Sequence, residues 1–309
     1  MQNLDLIQVL IFLGSLAVLV KASDYFIDSA EKIGLSFGIS PFIVGVTIIA
    51  FGTSLPELAT SVASVLRGQS EIVVANVVGS NITNILLVLG LTAAVGKRII
   101  IDDDLLDTDM PVMIIGAFFL WFVLRDLEVS YFEASLFILG LVFFLMKSFF
   151  LDRDDETQKV SASPVQYLIL VAAGALVALS ANWTIGALEN ISIALNINPE
   201  LIALSMIALG TSLPEVVVSI QAARRGKSAI AVGNVLGSNI FNTFAVIAIP
   251  RFIGRLEIPP SMLDFSVPFM VATSVIFLVV ILNKKITRWE GLVLIVLYLY
   301  YLGELFVSA

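Results

Sequence analysis

A short motif that joins a helix breaker to a carboxylate occurs twice in this chain of 309 residues. The sequence GTSLPE ends at Glu57 in the first copy and at Glu215 in the second. Pro56 has no N–H to donate within a helix, so the carbonyl of Gly52 loses its partner and the proline ring opens the preceding turn. Each break thus gathers hydroxyl and carboxylate oxygens, from Thr53, Ser54 and Glu57 and from Thr211, Ser212 and Glu215.

These breaks lie inside a chain that is too apolar for one water-soluble core. Hydrophobic residues make up 59% of it and charged residues 14%, whereas soluble domains average about 45–50% and about 25%. The apolar runs have the length that crosses a hydrocarbon layer of about 30 Å as a helix. The sequence therefore predicts an all-α polytopic membrane protein with ten transmembrane helices, at approximately 6–30, 41–66, 70–95, 110–124, 130–150, 164–190, 200–222, 228–249, 262–283 and 289–307.

Residue types that are missing from the sequence exclude several mechanisms. The chain has no cysteine and no histidine, which excludes disulfides, thiolate or imidazole metal ligands and histidine proton relays. It has no HExxH motif, and no histidine base for a membrane protease. A net charge of −8 argues against a nucleic-acid partner. We expect no enzymatic activity, no cofactor and no obligatory protein partner.

The GTSLPE motif and a second motif recur at the same distance along the chain. Residues 49–57 (IAFGTSLPE) and 207–215 (IALGTSLPE) share eight of nine positions. Residues 76–84 (NVVGSNITN) and 234–242 (NVLGSNIFN) share seven of nine. Because both pairs are separated by 158 positions, the pattern indicates that one whole unit has been duplicated.

The number of spans predicts how the two units are oriented. Each unit contains five predicted spans, and an odd number starts the second unit on the opposite side of the membrane from the first. Such inverted repeats are common in secondary transporters, whose binding sites lie near the midplane on interrupted helices. The predicted units are residues 1–150 and 164–309, and the hydrophilic stretch 151–163 is a cytoplasmic linker between them.

Lysine and arginine predict which side each loop faces, because cytoplasmic loops retain an excess of them. With both termini outside, the external loops hold Arg67, Arg125, Arg251 and Arg255. The larger cytoplasmic set then consists of Lys32, Lys97, Arg98, Lys147, Arg153, Lys159, Arg224, Arg225, Lys227, Lys284, Lys285 and Arg288. This asymmetry predicts that both termini are outside.

Glu57 and Glu215 are predicted to lie at mid-membrane, where an ionised side chain costs on the order of 3 kcal/mol on insertion scales. Backbone freed from a helix at that depth is tolerated only inside the protein or beside water. A simple proline kink is the alternative interpretation of either motif alone. No Lys or Arg is predicted at a depth that would neutralise both acids, whereas a bound cation would pair with both and with the freed carbonyls.

Neutral oxygens on the third and eighth predicted spans accompany these acids. One face of each span carries a polar residue at every fourth position, namely Asn76, Ser80 and Asn84, and Asn234, Ser238 and Asn242. Polar residues also hold membrane helices together, and we interpret Asn76 and Asn234 in this way. The others are predicted to ligate or line the site.

Carboxylate, hydroxyl, amide and carbonyl oxygens form a hard ligand set, which suits Ca2+, Mg2+, Na+ or K+ better than zinc or copper. Mg2+ keeps its waters and demands octahedral geometry, whereas Ca2+ accepts an irregular cage of about six to eight oxygens. Two carboxylates neutralise one Ca2+, and the same oxygens can hold Na+ in its place. Mutually exclusive occupancy of one site is what an exchanger requires.

Other acidic clusters are weaker candidates for ion binding. Five aspartates between 102 and 109, including Asp109, are interpreted as solvated charge and helix caps in a cytoplasmic loop. Asp152, Asp154 and Asp155 resemble the start of a calcium-binding loop but lack its glycine and terminal glutamate. We interpret them as part of the linker.

At its two repeated motifs the chain resembles the cation/calcium exchanger superfamily, in particular the short prokaryotic sodium/calcium antiporters. Members of that superfamily carry GTSLPE and GSN sequences on the second, third, seventh and eighth helices, and both occur twice here in that order. The resemblance implies antiport of Ca2+ against Na+ across the cell (inner) membrane. It also implies that the first and sixth helices slide across a rigid core of the other eight.

The same resemblance implies a set of ligands. Ca2+ would bind the carboxylates of Glu57 and Glu215 and the backbone carbonyls of Thr53 and Thr211. Sodium sites would use Ala50, Thr53, Ser54, Glu57 and Ser80 in one half and Ala208, Thr211, Ser212, Glu215 and Ser238 in the other, with Asn84 and Asn242 flanking the middle.

Asn242 is a departure from the pattern of the superfamily, whose sodium/calcium exchangers often have aspartate there. The number of Na+ ions and the charge moved per cycle therefore stay open. Exchange of Ca2+ or another divalent cation for H+ is the alternative function, although the proton-coupled branch usually has an acid where Val77, Val78 and Gly79 follow Asn76. A passive cation channel is a further alternative, and it would conduct Ca2+ without a counter-ion.

Overall fold

The computed structural model describes residues 6–96, 98–100, 109–151, 162–194 and 210–308. Helices dominate these ranges, as the apolar runs predict. In chain order the described helices are α1 (Leu6–Ser36), α2 (Pro41–Leu66), α3 (Glu71–Gly96), α4 (Met110–Leu124), α5 (Tyr131–Phe149), α6 (Pro164–Ala194), α7 (Leu213–Arg224), α8 (Ser228–Ile253), α9 (Ser261–Ile281) and α10 (Arg288–Ser308).

Seven of the described helices, all except α4, α7 and α10, are long and apolar enough to cross a membrane. The chain is thus a polytopic helical membrane protein. The bounds of α2 and α4 match the predicted spans, whereas α1 continues to Ser36, past its predicted end at 30. Much of the predicted seventh span, 200–222, lies outside the described residues, which resume at Gly210.

Helix α2 is interrupted twice along its length. It begins as a regular helix over Pro41–Val44, where the hydroxyl of Ser40 caps the first turn. It widens to π geometry over Gly45–Ile49 and returns to α geometry over Ala50–Thr53. A second break then precedes Leu55–Leu66. The predicted distortion of this span is therefore confirmed, and the π segment adds to it.

Helices α3 and α8 each contain a π segment at the same point of the repeated motif. In α3 it covers Asn84–Val88, and in α8 it covers Asn242–Val246. π segments inside α-helices occur frequently at functional sites. Both of these segments begin at an asparagine that the sequence predicts to line the site.

Helix α8 forms the centre of the molecule, because its apolar stretch is completely buried, whereas α1 and α6 are largely exposed and pack along each other. Small residues let α8 approach α2 closely. A Cβ on Gly237 would lie 2.1 Å from the carbonyl oxygen of Val46, and a Cβ on Gly45 would lie 2.5 Å from that of Ile230. Such contacts between small residues are a common way to pack membrane helices.

A short pair of strands corrects the expectation that the chain is entirely helical. Strand β1 (Arg98–Ile100) pairs antiparallel with β2 (Lys285–Thr287), with Arg98 opposite Thr287. The sequence does not reveal this pairing, because three extended residues carry too weak a pattern. Both strands belong to loops that are predicted to be cytoplasmic.

Asp109 also differs from its interpretation as solvated charge or a helix cap. Its side chain is buried and lies 3.0 Å from Nζ of Lys147, and it makes no cap hydrogen bond to α4. The ion pair joins the start of α4 to the end of α5, which are remote in sequence. The other four aspartates of that loop, and those of the predicted linker, lie outside the described residues.

A second group of ion pairs joins the end of α1 to the loop between α7 and α8. Nζ of Lys227 lies 2.7 Å from Asp28 and 2.6 Å from Glu31. Arg225 contacts Asp28 at 2.7 Å, and this carboxylate raises the pKa of the Arg225 guanidinium. All four residues are therefore held at one end of the helical bundle.

Candidate cation-binding site

The serines of the two GTSLPE copies have nearly the same backbone geometry. Ser54 has φ −87° and ψ 3°, and Ser212 has φ −83° and ψ 3°. A new helix starts at the next residue in each case, and its proline occupies an early position where no helical N–H partner is required. Glu57 and Glu215 consequently lie in the first turn of a helix, where the helix dipole favours a negative charge.

Glu57 and Glu215 form a buried pair of carboxyl groups. Both side chains have 0% exposure. The hydroxyl of Ser54, three residues before Glu57, donates to Oε1 of Glu215 at 3.3 Å, so the two motifs meet across the halves of the chain. Neither glutamate pairs with a Lys or Arg of the described residues.

Unsatisfied polar atoms are concentrated in the repeated motifs. Buried polar groups in proteins nearly always have a hydrogen-bond partner. Among the described residues, however, both carboxylate oxygens of Glu57, Oε2 of Glu215, Oγ of Ser212 and the whole side-chain amides of Asn84 and Asn242 have none. All of these residues belong to the predicted ligand set. The protein itself thus leaves their oxygens available to a cation.

The threonines of the two motifs contact the opposite half of the chain. Oγ1 of Thr53 lies 3.4 Å from Oγ of Ser238, and Oγ1 of Thr211 lies 3.3 Å from Oγ of Ser80. These two contacts are equivalent in the duplicated units. The fold therefore brings four predicted ligand residues together across the interface of the two halves.

Two further predicted ligands are alanines that would act through their carbonyls. The carbonyl of Ala50 already accepts a hydrogen bond from the backbone of Ser54 at 3.0 Å, and the hydroxyl of Thr53 lies 3.3 Å from it. Ala208, its equivalent, lies outside the described residues. The described geometry thus makes Ala50 a weaker candidate than the side chains around it.

Asn76 and Asn234, which we interpreted as packing residues, hydrogen-bond directly to the site. Oδ1 of Asn76 accepts from Thr211 at 3.2 Å, and Oδ1 of Asn234 accepts from Thr53 at 3.1 Å. Their amide groups also contact two serines, Ser61 and Ser219, which sequence reasoning missed. The 158-residue offset relates these serines too, and that would have been a usable signal.

Two adjoining cavities lead from the surface towards the site. The outer one, of about 370 Å³, is lined by residues that include Arg67 and Gln69, in a loop predicted to be external. The inner one, of about 380 Å³, reaches Asn76 and Thr211. They share Ala59, Thr60 and Ile72 among their lining residues. The site is thus approached from the side of the α2–α3 loop.

The side chains gathered here offer the oxygen ligands of a hard-cation site, but only Glu57 and Glu215 are acidic. Within the described ranges, no three His, Cys, Asp or Glu side chains converge on one point. A cation held by Glu57 and Glu215 must therefore complete its shell with hydroxyl, amide and carbonyl oxygens. Such neutral oxygens suit Ca2+ and Na+ and are poor ligands for transition metals.

Comparisons with known proteins match nearly the whole chain. The family model described as sodium/calcium exchanger protein matches residues 7–150 and 165–307. The chain is 34% identical to the sodium/calcium exchanger of Methanosarcina acetivorans, over 96% of this chain and 98% of that protein. It is 31% identical to a putative antiporter of Alkalimonas amylolytica, over 98% and 100% of the two chains. The fold is similar to that of the sodium-calcium exchanger NCX_Mj, with a TM-score of 0.85 and 29% identity, over 99% of this chain and 100% of that one.

Proposed function

The chain belongs to the sodium/calcium exchanger protein family, and we propose that it exchanges Ca2+ for Na+ at one buried site that opens alternately to the two sides of the membrane. The observation that carries this proposal is the pair of Glu57 and Glu215. Both are fully buried at equivalent helix breaks, and neither has a cationic partner among the described residues. A transported cation supplies the missing charge.

The charge of this pair explains why transport is an exchange. With both carboxylates ionised and no ion bound, the site carries two negative charges in a low-dielectric interior, which is strongly unfavourable. Ca2+ neutralises them, and so do Na+ ions in its place. A conformational change that moves the site across the membrane is therefore favoured only when the site is loaded. After one ion has been released on one side, the binding site can face the opposite side again only when it has bound the other ion.

The ligand assignment follows the residues that converge on the two acids. Ca2+ binds the carboxylates of Glu57 and Glu215 and the carbonyls of Thr53 and Thr211, and supporting contacts come from the crossed hydroxyl pairs at the half–half interface. Na+ binds on either side of this centre. Its ligands are drawn from Ala50, Thr53, Ser54, Glu57 and Ser80 in one half and from Ala208, Thr211, Ser212, Glu215 and Ser238 in the other. Asn84 and Asn242 flank the centre.

The site belongs to an architecture of ten spans in two inverted five-helix units, residues 1–150 and 164–309, joined by a linker at 151–163. The two separate stretches matched by the family model support this division. Contacts between loops also agree with it. The strands Arg98–Ile100 and Lys285–Thr287 pair with each other, and both are cytoplasmic in this topology.

In the proposed orientation, both termini lie on the external side of the cell (inner) membrane. Single cysteines can test this orientation, because the chain has no cysteine of its own. Arg67 and Lys285 are exposed in loops on opposite predicted sides. In intact cells, a membrane-impermeant maleimide should label Arg67→Cys and leave Lys285→Cys unlabelled until the membrane is permeabilised. The reverse pattern would overturn the orientation.

Neither a cofactor nor a protein partner is required for transport.

Uptake of radioactive Ca2+ into proteoliposomes tests the proposed function directly. Vesicles loaded with Na+ should accumulate Ca2+, whereas vesicles loaded with K+ or choline at the same pH should not. Accumulation that ignores Na+ and follows an imposed pH gradient would replace sodium by protons as the counter-ion. Ca2+ entry with no counter-ion gradient at all would indicate a channel and contradict exchange.

A further inference from the structure

The side chain of Asn76 is fixed by hydrogen bonds at both ends of its amide. Its Nδ2 donates to Oγ of Ser61 at 3.0 Å and to the carbonyl of Glu57 at 3.1 Å. Its Oδ1 accepts from Oγ1 of Thr211 at 3.2 Å. The two donor contacts face helix α2, so the amide oxygen must face the other half of the chain. Asn76 thereby connects α3 to α2 and to the turn before α7, around one of the acids.

Asn234 repeats two of these three contacts in the opposite direction. Its Nδ2 donates to Oγ of Ser219 at 2.9 Å, and its Oδ1 accepts from Oγ1 of Thr53 at 3.1 Å. Each of these residues is the equivalent, 158 positions away, of one member of the first set. Because the serine and threonine contacts occur in both units, chance packing is a poor explanation for them.

We infer that Ser61–Asn76–Thr211 and Ser219–Asn234–Thr53 are two crossed hydrogen-bond relays, by which each half of the chain positions the threonine ligand of the other half. This inference rests on the proposed exchange at the same site and adds positioning residues to it. The serine contacts the amide nitrogen, the amide oxygen accepts from the threonine hydroxyl, and the threonine backbone is held beside the two acids.

The direction of these hydrogen bonds matters for a cation. A threonine hydroxyl that donates to an asparagine oxygen directs its hydrogen away from the site and leaves its lone pairs and its carbonyl free. If the amide were turned over, its N–H group would face the threonine, whose own hydrogen would then turn towards a bound cation and repel it. For Asn76 the carbonyl of Glu57 prevents this, because a carbonyl can only accept a hydrogen bond. Ser61 and Ser219 contact the amide nitrogens and act on the cation only through the asparagines.

The environment of the relays strengthens them. Ser61, Ser219, Asn234 and Thr53 are essentially inaccessible to solvent, and hydrogen bonds in such low-dielectric surroundings are stronger than in water. Thr211 instead borders the inner cavity. One relay is thus sealed and the other adjoins the access path, although their contacts are equivalent.

A double-mutant cycle separates positioning from simple helix packing. Equilibrium binding of radioactive Ca2+ to the purified protein in Na+-free buffer would be measured for Asn76→Ala, alone and combined with Thr211→Val or with Thr53→Val. Loss of one such hydrogen bond should weaken Ca2+ binding about two- to tenfold. Asn76 acts partly through Thr211 and also contacts the carbonyl of Glu57. We therefore expect its effect to be clearly smaller in the Thr211→Val background than in the Thr53→Val background.

The matched Thr53→Val arm makes the test specific, because it removes an equivalent hydroxyl from the other relay. An effect of Asn76→Ala that is equal in both backgrounds would overturn the relay and leave only a packing role. If Asn76→Ala does not fold, Ser61→Ala in the same two backgrounds gives the same comparison. Na+-driven uptake by the unmodified protein is measured separately, so a failure of the proposed exchange is distinguished from a failure of the relay.

Discussion

Replacing Gly237 with alanine should force α2 and α8 apart at the centre of the molecule. The added Cβ would lie 2.1 Å from the carbonyl oxygen of Val46 and 2.7 Å from the Cβ of Ala50. An ordinary contact is about 3.5–4 Å, so the helices would have to separate by about 1 Å or more. Overpacking of this kind costs about 1–3 kcal/mol, and alanine's better helix propensity offsets at most about 1 kcal/mol.

Thermal unfolding of the purified protein in detergent measures this effect. A loss of 1 kcal/mol lowers the melting temperature by about 2–4 °C in a domain of 150–250 residues, so we expect Gly237→Ala to melt several degrees lower. Gly79→Ala is the matched control, because Gly79 is the equivalent residue of the first half and a Cβ there would meet nothing within 4 Å. Equal melting temperatures for the two variants would refute this account of α2–α8 packing.

Two further variants examine the ends and the centre of the bundle. Lys227→Met removes the ion pairs to Asp28 and Glu31, and we expect it to melt at a lower temperature than Arg255→Met, whose ion pair is longer and more exposed. The difference should shrink in about 1 M salt, where charges are screened, and its absence at low salt would count against the ion-pair group. Asn242→Asp adds a third carboxylate, so Ca2+ binding should become tighter at alkaline pH and return towards the unmodified value as acid protonates the new group. If the change in Ca2+ affinity is the same at every pH, the carboxylate of the substituted residue does not interact with the bound cation.

Much of the candidate site could be predicted from the repeated motifs. The proline of GTSLPE and its glycine indicate a break, and the structure has that break at Ser54 and at Ser212. The constant offset relates the two acids, and both are buried in motifs that contact each other. The predicted family is confirmed by the comparisons. These inferences succeed because they depend on local backbone chemistry and on duplication, and both can be recognised in a single sequence.

Contacts between remote segments could not be predicted in the same way. From the sequence, Asp109 is interpreted as a solvated loop residue, because nothing near it in sequence identifies Lys147 as its partner. Asn76 is interpreted as a packing residue, because its partner Thr211 belongs to the other half of the chain. The π segments at Asn84 and Asn242 also escape sequence patterns. Helices α3 and α8 are buried on most sides, so they have no one-sided apolar pattern that an extra residue could shift.

Competition between Na+ and Ca2+ for the purified protein tests the central claim most directly. If both ions use one site at Glu57 and Glu215, equilibrium binding should show Ca2+ bound in that site and displaced by Na+, with more than one Na+ needed for each Ca2+. Glu57→Gln and Glu215→Gln should each abolish this displaceable binding while the protein remains folded. Ca2+ binding that Na+ does not displace, or that survives both substitutions, would contradict a shared site at these two acids.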